Sequence, residues 1–118
     1  MAKWTVTNET IVSKLEEFGL PVEYGNVSQE VLESYNFFYY REDSLEGTGK
    51  ILSQTLNIYY VSLNQESLME PEIIEALTSI KLDFRRATYE RLQIEGTTNF
   101  VDVVTFICTR KLKVKSCG

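Results

Sequence analysis

With 118 residues, 43% of them hydrophobic and 25% charged, the chain is long enough to bury a core of its own and too apolar for wholesale disorder. A net charge of −5 argues against a surface built to neutralise nucleic-acid phosphates. The absence of histidine removes the Ser-His-Asp and Cys-His arrangements, and Cys108 and Cys117 alone fall short of the four ligands of a structural zinc site.

The N-terminus, Met1-Ala2-Lys3-Trp4, leads into polar Thr and Asn residues without the apolar stretch of a signal peptide, and no run approaches the ~20 apolar residues of a membrane span. A cytoplasmic chain with no membrane partner is expected. Thr7 and Asn8 offer a helix N-cap, Glu9 complements the dipole just inside it, and Ile11, Leu15 and Phe18 recur at helical spacing with Val12 beside them. Gly19 and Pro21 supply the stop. Residues 22–24 then read as a short strand ended by Gly25-Asn26, and residues 28–33 fit either a helical turn or a loop.

The aromatic run over residues 35–41 reads as the first long strand, because aromatic side chains suit the pleated surface. Residues 42–50 turn polar and carry Gly47 and Gly49, which predicts a mobile hairpin tip. A β pattern resumes over residues 51–62, with Leu52, Gln54, Leu56, Ile58 and Tyr60 on one face and Asn57, Tyr59 and Val61 on the other. After a polar connection, Pro71 suits a first helical position, and Ile73, Ile74, Leu77 and Ile80 form an apolar stripe. Leu82, Phe84, Arg86 and Thr88 alternate with Asp83, Arg85, Ala87 and Tyr89, and residues 95–99 form a turn. The last strand, about 100–111, sets Val101, Val103, Thr105, Ile107 and Thr109 on one side and Phe100, Val104, Phe106 and Cys108 on the other. A strand apolar on both faces belongs at the centre of a sheet or across a subunit boundary. The basic tail from Arg110 to Lys115 reads as an edge strand protected by alternating lysines, with residues 111–118 fraying.

The elements predict one α+β domain over residues 1–118, a mostly antiparallel sheet of long hairpins with two short helices packed on one face. Ile11, Leu15, Phe18, Leu56, Ile58, Ile73, Leu77, Val104 and Phe106 are the expected core. No Gly-rich phosphate loop is present: Gly47-Thr48-Gly49-Lys50 lacks the Walker spacing and the strand-to-helix context. The candidate acid–base carboxylates, Glu16-Glu17, Glu42-Asp43 and Glu46, or Glu70 and Glu72, fall at helix ends or in polar loops, where the pattern indicates neither burial nor a fixed charged neighbour and a solvated role is expected. Tyrosines on a sheet can stack bases, but such platforms come with basic surroundings; core packing, with Tyr39 or Tyr59 at a protein interface, fits better. A non-enzymatic chain without cofactor or metal is expected.

The order and texture of these elements resemble the tail terminator, or tail-completion, proteins of long-tailed bacteriophages. A helix ends in Gly19-Leu20-Pro21 and passes through Val22-Glu23-Tyr24-Gly25 into the sheet. An aromatic strand follows at Phe37-Phe38-Tyr39-Tyr40, then the strand Leu56-Asn57-Ile58-Tyr59-Tyr60-Val61, a short helix over 72–80 and a closing pair over 82–89 and 100–109. The resemblance implies a subunit that forms a ring, commonly a hexamer, on the end of the tail tube, stops tube growth and presents a surface to the head connector. Its partners would be copies of itself, the tail tube protein and head connector proteins, with DNA only as cargo passing through a lumen. The place implied is the virion tail, assembled in the host cytoplasm. On this reading Glu42, Asp43, Leu45, Glu46 and Lys50 are the candidate subunit or tube contacts. Three other readings stay open: another head–tail connector protein, a cytoplasmic non-enzymatic adaptor or inhibitor-type binding domain, and an enzyme using carboxylates or a bound cofactor.

Overall fold

The computed structural model describes residues 2–25, 35–48, 51–63, 69–94, 96, 97 and 99–114. The readings placed on residues 28–33, Gly49, Lys50, residues 64–67, Glu95, Thr98 and residues 115–118 fall outside them. Six strands and two helices occur among the described residues, in the order β1 (Ala2–Trp4), α1 (Asn8–Glu16), β2 (Val22–Tyr24), β3 (Phe37–Thr48), β4 (Ile51–Leu63), α2 (Glu70–Ser79), β5 (Asp83–Gln93) and β6 (Phe100–Val114). The fold is α+β. The sheet is mixed, because β2 runs parallel to β3 while the other pairs are antiparallel.

Helix α1 starts where Thr7, in extended backbone, accepts the amide of Thr10 on its hydroxyl, and it ends in a turn closed by Gly19 at φ 81°. Helix α2 begins one residue before Pro71 and has Met69, in the left-handed region, as its N-cap, with no side-chain cap. Both helices bury their apolar stripes, Ile11 and Leu15 on one and Ile73 and Leu77 on the other, against the same face of the sheet. That face is built from Phe38 and Tyr40 on β3, Leu56, Ile58 and Tyr60 on β4, and Val104, Phe106 and Cys108 on β6, all at most 3% exposed. Every expected core residue is buried except Phe18, which packs against the cluster while partly exposed.

Strand β6 is central. It pairs with β4 over thirteen registered positions on one side, and on the other with β5 over residues 100–109 and then with β1 at Leu112, Lys113 and Val114. The basic end of this strand is therefore not an edge, and residues 111–114 are paired strand, not a frayed tail. Strand β1 is only three residues long, too short for its pattern to stand out in the sequence. The hairpin tip is shorter than the polar run over residues 42–50 predicts: β3 stays paired with β4 through Thr48↔Ile51, so residues 42–48 belong to the strand. Polar side chains can occupy a strand whose faces lie beyond the helices, and the molecule is drawn out to 61 × 27 × 24 Å.

Two bulges break the simple alternation. On β3 the register shifts between Glu42 and Ser44; on β5 it shifts between Phe84 and Arg86. The second bulge brings both Phe84 and Ala87 onto the core cluster, where strict alternation had set them on opposite faces.

Candidate functional site

Two features of this frame carry chemistry or contact potential: a buried arginine at the junction of β1, α1 and the sheet, and the sheet face that the helices leave uncovered.

Arg110 continues the inward series Val104, Phe106 and Cys108 on β6, so its side chain enters the covered face, and it is 2% exposed. A guanidinium placed there needs partners on all sides. Its Nε donates to Gln54 Oε1 at 2.9 Å, and its Nη1 donates to the Val6 carbonyl at 3.1 Å and to Asn8 Oδ1 at 2.7 Å. Glu42 stands 3.6 Å from Nη2, and the Trp4 ring lies over the guanidinium with its centroid 4.1 Å from Cζ. Glu42 in turn accepts the Tyr24 hydroxyl, its two oxygens 2.5 and 2.6 Å away. The Tyr24 and Tyr40 rings pack at 4.8 Å.

The electrostatics follow from this packing. Burial lowers the Arg110 guanidinium from its ordinary value, an effect opposed by the Glu42 carboxylate. The hydrogen bond to Glu42 raises the Tyr24 phenol, and loss of water pushes Tyr40 up to about 12. Cys108, a free buried thiol, is also pushed up to about 12 by burial, the opposite of what an activated nucleophile requires. The Arg110 cluster ties the N-terminal strand and the start of α1 to β6, β4 and β3. It is a clasp made of groups that consume one another's hydrogen bonds.

The opposite face of the sheet has no helix upon it among the described residues. Across β3, β4, β6 and β5, successive rows read Tyr39, Tyr59, Thr105 and Thr88, then Arg41, Asn57, Ile107 and Arg86. Tyr39 and Tyr59 stack at 5.4 Å with their planes 24° apart, half-exposed, so the aromatic run divides between core and surface. Towards the start of β6 the face becomes apolar and forms a groove of about 340 Å³, whose walls include Tyr35, Phe37, Val61, Leu92, Val101 and Val103.

Four of the five candidate contact residues fall among the described residues, all of them on β3. Glu42 faces Arg110 and accepts the Tyr24 hydroxyl, with its side chain 28% exposed. Asp43 lies in the β3 bulge, and Leu45 and Glu46 are exposed beyond it, Leu45 at 52%. Lys50 falls outside the described residues. The residue that sequence reasoning placed wrongly is Arg110, and the signal was present: it stands two positions beyond Cys108 on the inward side of β6. Among the described residues there is no cluster of histidine, cysteine, aspartate or glutamate able to hold a metal ion, and no helix is long and apolar enough to cross a membrane. No protein-family model matches the chain, and no curated protein sequence matches it.

Proposed function

We propose that this chain is a non-enzymatic structural subunit that works by associating with copies of itself and with other proteins, of the kind found in phage tail terminators. The observation that supports this reading best is the two-sided sheet. Helices bury one face, while the other presents Tyr39, Tyr59, Asn57, Ile107 and rows of threonine to the outside. Half-buried side chains of mixed polarity on a broad, rigid surface suit a protein contact better than a small-molecule site, which calls for a concave cavity with converging polar groups. The β3–β4 arm, with Leu45 and Ile51 about half exposed beyond the helices, adds reach to that surface.

In this role the subunits close into a ring on the last ring of a tail tube, halt its growth and offer a surface to the head connector. The protein is then part of the virion tail, assembled in the host cytoplasm. Light scattering after size exclusion, with negative-stain images of the protein alone and on purified tail tubes, tests the proposal. Rings on tube ends are the expected result. A chain that stays monomeric even on tubes excludes this function and leaves the adaptor class.

A further inference from the structure

The helical layer is acidic, whereas the uncovered sheet face carries both signs, with Asp83 and Glu90, opposite Thr109 and Val103, beside Arg41, Arg85 and Arg86. The helical layer, α1 with its C-cap Glu17 together with α2, carries six glutamates against one lysine. Lys14 is already paired with Glu17 at 3.5 Å, and Glu70 accepts the Tyr89 hydroxyl. Glu72 and Glu75 rim an open groove of about 330 Å³ between the helices, with the Lys14–Glu17 pair, Phe18 and Ala76 among its other walls. On the far side of the sheet, the β5 bulge sets Arg86 opposite Ile107 while Arg85 donates Nε to Thr109 Oγ1 at 3.3 Å. Ile107 and Thr109 both belong to the uncovered face, so two successive arginines point the same way. A regular strand would have sent them to opposite faces. Both are exposed, and among the described residues neither lies within ion-pair distance of a carboxylate.

Resting on the self-association proposed above, we infer that copies dock head to tail, the uncovered sheet face of one on the helical layer of the next, with Arg85 and Arg86 entering the groove rimmed by Glu72 and Glu75. Within one chain these groups cannot meet, because the sheet stands between them. Between chains the match is chemical: an arginine stem packs on an aromatic floor such as Phe18 while its fork takes a carboxylate. The competing arrangements fare worse. Helical layer on helical layer sets acid against acid, and pairing edge to edge meets the β5 bulge on one side of the sheet and, beyond the short strand β2, the β3 bulge on the other. A contact between two different surfaces is heterologous, and such contacts close into rings or run on as filaments.

The test is a charge exchange. One variant carries Arg85→Glu and Arg86→Glu, a second carries Glu72→Arg and Glu75→Arg, and a third carries all four. All the positions are exposed or half-exposed, and circular dichroism checks that each variant folds. Sedimentation velocity is run at the concentration where the natural chain assembles, with salt raised from about 0.05 M to about 0.5 M to screen surface charge. Each double variant alone is expected to sediment as a monomer. An equimolar mixture of the two, and the fourfold variant, are expected to recover the assembled species, and salt is expected to shift the natural chain towards monomer. Double variants that assemble like the natural chain, or a mixture that stays monomeric, overturn this docking while leaving self-association intact. A natural chain that does not assemble in any condition removes the underlying function instead. If a double variant does not fold, Arg85→Gln with Arg86→Gln takes its place, and unchanged assembly of that variant overturns the docking equally.

Discussion

The guanidinium of Arg110 lies under the ring of Trp4, its carbon 4.1 Å from the ring centroid, joining residues 106 positions apart in the chain. Trp4 is the only tryptophan, so this contact can be read by fluorescence. Replacing Arg110 by Met leaves the Val6 carbonyl, Asn8, Gln54 and Glu42 without their shared donor. A loss of about 2–4 kcal/mol in urea unfolding is expected, with a shift in Trp4 emission in the folded state. Arg110→Lys should recover only part of it, because an ammonium cannot reproduce the fork. Unchanged stability and emission in both variants would show that the clasp does not hold β1.

Phe106 is fully buried on the central strand and packs against Phe84 with ring centroids 6.4 Å apart. Phe106→Ala should cost about 3–5 kcal/mol, the range for emptying an aromatic site in a tight core. Thermal and urea unfolding measure it, and a melting temperature equal to that of the natural chain would contradict the assignment of this residue to the inward face.

Gly47 occupies the end of β3 at φ 136°, and a Cβ there would lie 2.6 Å from the Ile51 carbonyl oxygen. The neighbour is backbone and has little freedom to move aside. Gly47→Ala should therefore destabilise the arm by about 1–3 kcal/mol and speed amide exchange in its paired residues, while the amides under the helices keep their protection. Equal exchange along the whole hairpin would refute the local strain.

Tyr40 and Cys108 both have folded-state pKa values of about 12, above the ordinary 10 and 9. An acid whose pKa rises on folding is held in its protonated form, so the stabilisation is complete below about pH 9 and is lost as pH climbs towards 12. Urea midpoints should fall across that window. Tyr40→Phe should flatten the part above pH 10, and a thiol reagent at pH 8 should reach Cys108, in a Cys117→Ser background, only on unfolding. Midpoints independent of alkali, or rapid modification of the native thiol, would disprove this burial.

What the sequence determined by itself is the part governed by local periodicity. The spacing of Ile11 and Leu15 and of Ile73 and Leu77, and the alternation of Leu56, Ile58 and Tyr60 with Asn57, Tyr59 and Val61, specified helices, strands and buried faces, because each residue's side follows from its neighbours along the chain. The two-sided apolar pattern of β6 likewise implied a central strand. Tertiary structure alone decided whatever depends on partners distant in sequence or on a break in the period. Arg110 became a buried anchor because Trp4, Val6 and Asn8 return to it from the other end of the chain. That closure also turned the basic tail from an edge into a paired strand and gave Glu42 an ion-pair partner inside the chain. The β5 bulge, invisible to a period of two, turned Arg85 and Arg86 to the same face; a single extra residue in one strand reverses the side of every residue after it, and only the pairing with β6 reveals where that residue is inserted.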